Sequence, residues 1–433
     1  MHLKLMNFSW LMGEQLVRLV SALFVMTLVA RYLGPDQFGN YAYIFALIGL
    51  LLPFANFGLD DLVMRAVAED PPSASQIMRR AVFFRAGMAL IAATAAIAST
   101  QFAITPAGVN PKLVALASLA LFAAPIETFF HVVKALERVK RVVIMRTSIA
   151  FATTAITIWS VLNGAALAAF VAIRGCEALL LAAAAWLGFK MLRQTRGPAK
   201  AATFRISDGL PLMLASLATV VYMRIDQVML GSMAEARELG QYGVAVRIVE
   251  ALNFVMYAIQ STLFSSAVRN FKKSPETFDI FVQRIFDAHS LAGWTAMIFV
   301  GLFGTFLLVP VFGPKFAGAL PMLAILLIGV PFLFLNQAWS AMLTVRGWLW
   351  TAPVATAFGA TTNILLNLIL IPVLGGRGAA IATVVSYVLT GIGISAIVPR
   401  LRHSARAMIK ALNPVEVFFR TYRLYMAEVR GRT

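Results

Sequence analysis

Ten charged side chains lie within apolar stretches of the sequence, and their types suit anion binding and ion coupling. A charge inside a membrane costs ~2.5–3.5 kcal/mol on insertion scales, so such residues face a protein interior or a water-filled cavity and are candidates for function. Arginine can bind two phosphate oxygens and keeps its charge, whereas a carboxylate can carry a proton or Na⁺. The ten are Arg18, Arg85, Arg174, Arg224, Arg247, Glu14, Glu127, Glu177, Asp226 and Glu250.

The spacing of these charges separates one pair from the others. Arg224 and Asp226 are two residues apart, about 200° around a helix, so each needs its own partner or a cavity. They form the strongest single candidate site. Arg85 has no acid within one helical turn. Three other spacings allow ion pairs that neutralise both charges. These pairs are Glu14 with Arg18, Arg174 with Glu177, and Arg247 with Glu250. Glu127 shares a helix face with His131 and Lys134.

The acidic pair Asp60 and Asp61 has two interpretations. It suits a divalent cation in a membrane transferase, but the four-residue spacing of Asp61 and Arg65 favours a salt bridge at a helix end. The sequence lacks the phosphate-loop, zinc-protease, nucleophile-elbow and dinucleotide-binding motifs, and Cys176 is its single cysteine. We therefore expect no metal site, no cofactor, no disulfide and no enzyme activity.

The elements that must position these charges are membrane helices. Of the 433 residues, 60% are apolar and 13% are charged, against about 25% charged in soluble domains. At about 20 residues per crossing, the apolar stretches predict roughly twelve transmembrane helices. The fold class is therefore an all-α integral membrane protein.

The distribution of positive charge predicts the orientation in the membrane. Placing the N-terminus in the cytoplasm puts most of the 37 Lys and Arg residues on the cytoplasmic side, and both termini then lie there. The net charge of +18 is explained by this asymmetry, so we expect no nucleic-acid partner.

The two sets of six predicted helices are similar at three places, about 200 residues apart. Leu33-Gly34 followed by Gly39-Asn40-Tyr41 matches Leu239-Gly240-Gln241-Tyr242, with Gly39 aligned to Gly240, and Gly164-Ala165-Ala166 matches Gly378-Ala379-Ala380. Pro125 and Pro331 are matched in the fourth and tenth helices, where prolines act as hinges. An even number of helices per half predicts two parallel bundles around a central cavity.

This repeat divides the chain into four parts. The expected parts are an N-terminal six-helix bundle, a basic cytoplasmic linker, a C-terminal six-helix bundle and a basic amphipathic cytoplasmic tail. In the tail, Val415, Phe418 and Tyr422 recur at helical spacing among arginines, which favours binding to the anionic leaflet; docking on a partner protein is the alternative. The four parts are residues 1–190, 191–208, 209–399 and 400–433.

Three segments resemble one family of transporters. They are Arg31-Tyr32-Leu33-Gly34-Pro35-Asp36-Gln37-Phe38-Gly39-Asn40-Tyr41 with Asn56-Phe57-Gly58-Leu59 and Arg65, then Arg224-Ile225-Asp226-Gln227-Val228-Met229-Leu230-Gly231, then Gly378-Ala379-Ala380-Ile381-Ala382. The chain resembles the Wzx-like polysaccharide and O-antigen flippases of the multidrug/oligosaccharidyl-lipid/polysaccharide (MOP) exporter superfamily, which are related to multidrug exporters and lipid II flippases.

The resemblance implies a function and a set of roles. Such a protein flips undecaprenyl-diphosphate-linked oligosaccharide units from the cytoplasmic to the periplasmic leaflet of the bacterial inner membrane by alternating access, for O-antigen, capsule or exopolysaccharide synthesis. It has no cofactor beyond an H⁺ or Na⁺ gradient, and its partners are membrane lipids, a polysaccharide polymerase and a chain-length regulator. A monomer is expected. The diphosphate would be bound by Arg18, Arg85, Arg224 and Arg247, and the coupling or charge-pairing acids would be Glu14, Glu127, Asp226 and Glu250.

Two other functions fit parts of the sequence. A cation-coupled drug or metabolite exporter of the same superfamily would need an exposed acid without a partnering arginine. A membrane-embedded glycan polymerase or ligase usually has a substantial extracytoplasmic loop, and the loops predicted on that side have roughly ten residues or fewer.

Overall fold

The computed structural model describes residues 2–101, 106, 109–191 and 205–430. These residues are almost entirely helical, as their apolar composition predicts for a chain that must satisfy its backbone hydrogen bonds within a bilayer. They group into two compact units, Met1–Gly240 and Gln241–Thr433.

The first unit contains eight helices and the beginning of a ninth. They are α1 His2–Asn56, α2 Leu59–Glu69, α3 Ala74–Ser99, α4 Pro111–Ser118, α5 Ala123–Ala135, α6 Lys140–Leu162, α7 Leu167–Lys190, α8 Gly209–Met233 and α9 Ala236–Ala251.

The second unit contains the rest of α9 and nine further helices. They are α10 Asn253–Lys273, α11 Pro275–Phe299, α12 Thr305–Phe312, α13 Ala319–Val345, α14 Thr351–Leu374, α15 Gly376–Val388, α16 Ile394–Ile397, α17 Arg402–Ala411 and α18 Pro414–Arg430.

Eleven stretches of the described residues are long and apolar enough to cross a membrane. The first, Ser9–Glu69, has 61 residues, about three times the length of one crossing. It breaks at Gly34, whose φ of 71° is left-handed and is followed by Pro35, which has no N–H to donate. Counting two crossings there gives twelve, in agreement with the sequence.

The helix α8 packs with the first unit, against α1. The backbones approach closely at Gly209, where a Cβ would lie 2.4 Å from the carbonyl oxygen of Phe57. This grouping puts α8 in the first unit, whereas the sequence predicts residues 209–399 as the C-terminal bundle. Most of the predicted linker, residues 192–204, lies outside the described residues. The four-part division therefore stays a prediction.

Two members of the sequence repeat meet within the first unit. A Cβ on Gly39 would lie 1.8 Å from the carbonyl oxygen of Ala236, and one on Gly240 would lie 2.0 Å from that of Pro35. Small residues at such crossings let helix backbones come into contact. The repeated glycine motif therefore joins the second half of α1 to the start of α9.

The C-terminal tail is docked rather than free. Ser290 of α11 donates to the carbonyl oxygen of Ala411 at 2.5 Å, and the indole N–H of Trp294 donates to that of Leu412 at 3.2 Å. The tail also buries Met408 and Val417. One face of the predicted amphipathic tail is thus used for packing within the unit, and its binding to a leaflet stays a prediction.

Candidate functional site

A buried arginine with two carboxylates lies among α1, α5 and α6. Arg146 Nε donates to Glu14 Oε1 at 2.7 Å, and Arg146 Nη1 donates to Glu127 Oε1, also at 2.7 Å. The guanidinium carbon also lies 4.2 Å from the centre of the Phe130 ring. Arg146 and Glu14 are 3% and 5% exposed, so each charge depends on the other for compensation.

Arg18 is the exposed member of this cluster. Its Nη1 lies 3.7 Å from Glu14 Oε1, and 45% of its side chain is exposed. Glu14 and Glu127 carry two negative charges against the single positive charge of Arg146, so Arg18 completes the charge balance of the cluster. Because 45% of its side chain is exposed, the guanidinium of Arg18 can also contact an anion outside the cluster. We call Glu14, Arg18, Glu127 and Arg146 the N-terminal charge cluster.

Arg146 is not among the ten charges that lie within the apolar stretches of the sequence, whereas the helix α6 already begins at Lys140 and includes it. The apolar run Val142-Val143-Ile144-Met145 between Arg141 and Arg146 was the available signal that Arg146 lies inside a helix. Its carboxylate partners come from other helices, so sequence spacing could not identify them.

Arg85 lies in a second buried network. Its Nε donates to the carbonyl oxygen of Asn56 at 3.0 Å, its Nη1 donates to Thr128 Oγ1 at 2.9 Å, and its Nη2 makes an ion pair with Asp60. His131 Nε2 lies 3.1 Å from the same Asp60 oxygen. The side chain of Arg85 is 0% exposed, so in this conformation it has no surface for the substrate phosphate that the sequence analysis assigned to it.

The acidic pair at the start of α2 does not make the expected salt bridge. Arg65 pairs with Glu69 at 2.9 Å instead of with Asp61. Both acids are four residues from Arg65 on the same helix, so the spacing allows either pair. Within the described ranges, no group of three or more His, Cys, Asp or Glu side chains could hold a metal ion.

Arg224 and Asp226 have different environments, as their spacing predicts. Asp226 is buried, and its Oδ1 accepts a hydrogen bond from the backbone N–H of Gln227 at 2.7 Å. Arg224 is half-buried and lies over Gly49 of α1, where an added Cβ would come within 3.1 Å of its Cδ. The glycine therefore leaves the room that the arginine side chain occupies.

Two other predicted ion pairs are present within single helices. Arg174 Nη1 lies 2.5 Å from Glu177 Oε2 in α7, and Arg247 Nη1 lies 2.6 Å from Glu250 Oε2 in α9. The pairing of these charges is confirmed, while the roles of Arg247 in binding and Glu250 in coupling stay predictions.

The two matched prolines occupy different helical contexts. Pro125 lies in the first turn of α5, directly after a 3₁₀ segment at 119–122, where the helix direction already changes. Pro331 lies inside the continuous helix α13 and packs against Gly293 of α11, where a Cβ would lie 2.9 Å from the Pro331 Cα. Their role as hinges stays a prediction.

A neutral polar ladder crosses the second unit. Asn367 Nδ2 donates to Asn363 Oδ1 at 2.8 Å, Asn363 Nδ2 donates to Thr383 Oγ1 at 3.3 Å, and the Tyr242 hydroxyl lies 3.2 Å from the same oxygen. All four side chains are buried. This ladder carries no charge and so is not among the candidates predicted from charged residues, although two asparagines four residues apart in an apolar helix are a usable signal.

Comparisons with known proteins identify a family for this chain. A family model described as "Polysaccharide biosynthesis protein" matches residues 5–264, which include the N-terminal charge cluster. The uncharacterized membrane protein MJ1068 of Methanocaldococcus jannaschii is 25% identical over 183 residues, 42% of this chain. That match spans only 36% of the length of the archaeal protein.

Solved structures of transporters share the fold. The lipid II flippase MurJ in an inward closed conformation has a TM-score of 0.69 at 12% identity, covering 96% of this chain and 92% of its own. An inward-facing multidrug resistance MATE family transporter of the MOP superfamily has a TM-score of 0.65 at 16% identity, covering 90% and 94%. The predicted fold class is confirmed, because the chain has the MOP fold of these multi-pass membrane proteins.

Proposed function

Since this chain belongs to the polysaccharide biosynthesis protein family, we propose that it flips undecaprenyl-diphosphate-linked oligosaccharide units from the cytoplasmic to the periplasmic leaflet. The resemblance to MOP-superfamily polysaccharide flippases found in the sequence is confirmed at the level of family and fold. The units would serve the synthesis of O-antigen, capsule or exopolysaccharide. The protein would act as a monomer in the bacterial inner membrane, with both termini in the cytoplasm.

The observation that carries this proposal is the half-exposed Arg18 at the edge of a buried charge network. A diphosphate is a doubly charged group that an arginine binds through two parallel hydrogen bonds. Arg146 neutralises one of the two charges of Glu14 and Glu127, and the contact of Arg18 with Glu14 is long, at 3.7 Å, so the exposed guanidinium of Arg18 can still attract an anion. Arg224 and Arg247 are the further cations that contribute to substrate binding in this proposal.

The transport cycle follows from the same charges. The diphosphate would bind the guanidinium of Arg18, which lies 3.7 Å from Glu14. The substrate and Glu14 therefore compete for the same cation. Release of Glu14 or Glu127 from an arginine would let that carboxylate take up H⁺ or Na⁺. This exchange couples an ion gradient to alternating access, with Pro125 and Pro331 as the hinges.

The decisive experiment is depletion of the protein in its native host. Mass spectrometry of lipid-linked glycans should then detect accumulated diphosphate-linked repeat units, while surface polysaccharide decreases. A facing assay should place these units on the cytoplasmic leaflet. Unchanged surface polymer without an accumulated intermediate would overturn the proposal.

Complementation with variants adds residue detail. Arg18→Gln should fail to restore surface polymer, whereas Arg141→Gln, at an exposed position on α6, should restore it. A polysaccharide polymerase and a chain-length regulator are the proposed protein partners, and cross-linking in the host membrane tests for them.

A multidrug exporter is the second candidate function, because the fold is also shared with a multidrug resistance transporter. A cationic drug would not need Arg18, so Arg18→Gln should then leave transport unchanged. For the flippase, loss of Arg18 should abolish transport. An efflux assay with cationic dyes, run beside the glycan assay, distinguishes the two functions.

A further inference from the structure

An elongated cavity follows the helix α11 within the second unit. Its volume is about 870 Å³. One wall runs from Arg284 to Val300, a length of about 24 Å at the helical rise of 1.5 Å per residue. Leu252 and Val255 lie at one part of the wall, and Thr421 of the tail lies at another. This shape suits a chain-like ligand better than a compact one.

The middle of the cavity is apolar. Leu291, Ala292, Ala296 and Phe299 line it, and all belong to the membrane span Phe278–Gly304. A cavity of this composition at membrane depth favours hydrocarbon over water. The central part therefore suits an acyl chain.

One end of the cavity carries a cation that the protein leaves available. Arg284 is exposed and, within the described part of the chain, makes no ion pair or hydrogen bond. The neighbouring carboxylate of Asp287 is already taken, because Arg420 Nε lies 3.0 Å from its Oδ2 and Gln283 donates to its Oδ1 at 2.9 Å. The end of the cavity thus has a net positive charge.

The composition of the docked tail is that of a membrane surface. Arg420 holds α18 against α11, and Thr421 then forms part of the cavity wall. The opposite face of α18 exposes the aromatic side chains of Phe418, Phe419 and Tyr422. Exposed aromatic side chains beside arginines are typical of helices at the interface between headgroups and acyl chains.

We propose that this cavity binds an anionic phospholipid, with an acyl chain along α11 and its phosphate at Arg284. The proposal goes beyond the transport function and does not depend on it. An anionic headgroup complements Arg284, whereas the positive group of a zwitterionic or cationic amphiphile is repelled there. The tail helix α18 would close the site from the side.

Native mass spectrometry of the full chain tests the headgroup. Protein equilibrated with vesicles of phosphatidylglycerol and phosphatidylcholine in equal amounts should retain phosphatidylglycerol in about tenfold preference, because both lipids offer a phosphate to Arg284 but only phosphatidylcholine also carries a positive group there. Arg284→Gln should remove the preference, and Arg284→Lys should keep most of it. The matched control is Arg80→Gln, an exposed arginine on α3 that does not line the cavity.

A second variant tests the acyl-chain part. Ala292→Phe fills the cavity and should reduce the retained lipid at least about threefold, whereas Ala357→Phe on the exposed face of α14 should not. Equal retention by Arg284→Gln and the original protein would overturn the proposal. Preferential retention of an isoprenyl diphosphate over phosphatidylglycerol would also overturn it, because the cavity would then belong to the transported substrate.

Discussion

In the first unit, Arg85 and Arg146 each lie in a buried network with carboxylates, whereas in the second unit Asn363, Asn367 and Thr383 form a buried ladder without charge. Both units solve the same problem, since a polar group in a membrane needs a partner. The two kinds of network differ when one side chain is removed. Removal from a charged network leaves a buried ion without its counter-charge, whereas removal from the neutral ladder leaves only an amide without its hydrogen-bond partner.

This difference explains where function is expected. A charged cluster can exchange partners with an anion or a coupling ion, because its members carry net charge when separated. A neutral ladder can hold helices together and offers no such exchange. Measured stabilities of single variants in the two units test this contrast.

Removal of the central cation of the N-terminal charge cluster should have the largest effect. We expect Arg146→Gln to destabilise the protein by ~3 kcal/mol, because Glu14 loses its closest partner while buried. The measurement is denaturant unfolding of purified protein in detergent. The control Arg141→Gln changes an exposed arginine on the same helix and should have little effect. Equal stability of both variants would contradict a structural role for Arg146.

Removal of Arg85 should have a smaller effect. We expect Arg85→Met to cost ~2 kcal/mol, because Asp60 keeps its contact with His131 and is partly exposed. The same unfolding measurement applies, with Arg79→Met at an exposed position of α3 as the control. If Arg85→Met abolished transport at unchanged stability, the substrate-binding role assigned from sequence would be favoured over the structural one.

Loss of one hydrogen bond in the neutral ladder should lower the free energy of unfolding by a smaller amount. We expect Asn367→Leu to destabilise by ~1 kcal/mol, a typical value for an interhelical or intrahelical hydrogen bond in a membrane. A double-mutant cycle with Asn363→Leu measures the coupling between the two amides. A loss as large as that of Arg146→Gln would refute the contrast between the units.

The exposed arginine of the cluster should have the smallest effect on stability. Arg18→Gln should change the free energy of unfolding by no more than ~0.5 kcal/mol, because its ion pair with Glu14 is long and partly solvated. Transport of lipid-linked oligosaccharide should nevertheless be lost, as judged by surface polysaccharide in a depleted host. A stable variant with normal transport would remove Arg18 from the proposed binding site.

Local spacing predicted several contacts correctly. The pairs Arg174–Glu177 and Arg247–Glu250 form because three residues bring side chains onto one helix face. The break near Gly34 follows from a glycine and a proline in sequence. The same reasoning was wrong for Arg65, because Glu69 and Asp61 are both four residues away and spacing alone does not choose between them.

The helical membrane fold and the family resemblance could be predicted from the sequence, because each rests on composition or on residues close together in the chain. Which charges pair with each other inside the protein depends on the tertiary structure. Arg85 pairs with Asp60, which is 25 residues away in the sequence, and Arg146 pairs with Glu14, which is 132 residues away. Desolvation makes each buried arginine require a carboxylate, but only the packing of the helices determines which carboxylate comes within reach.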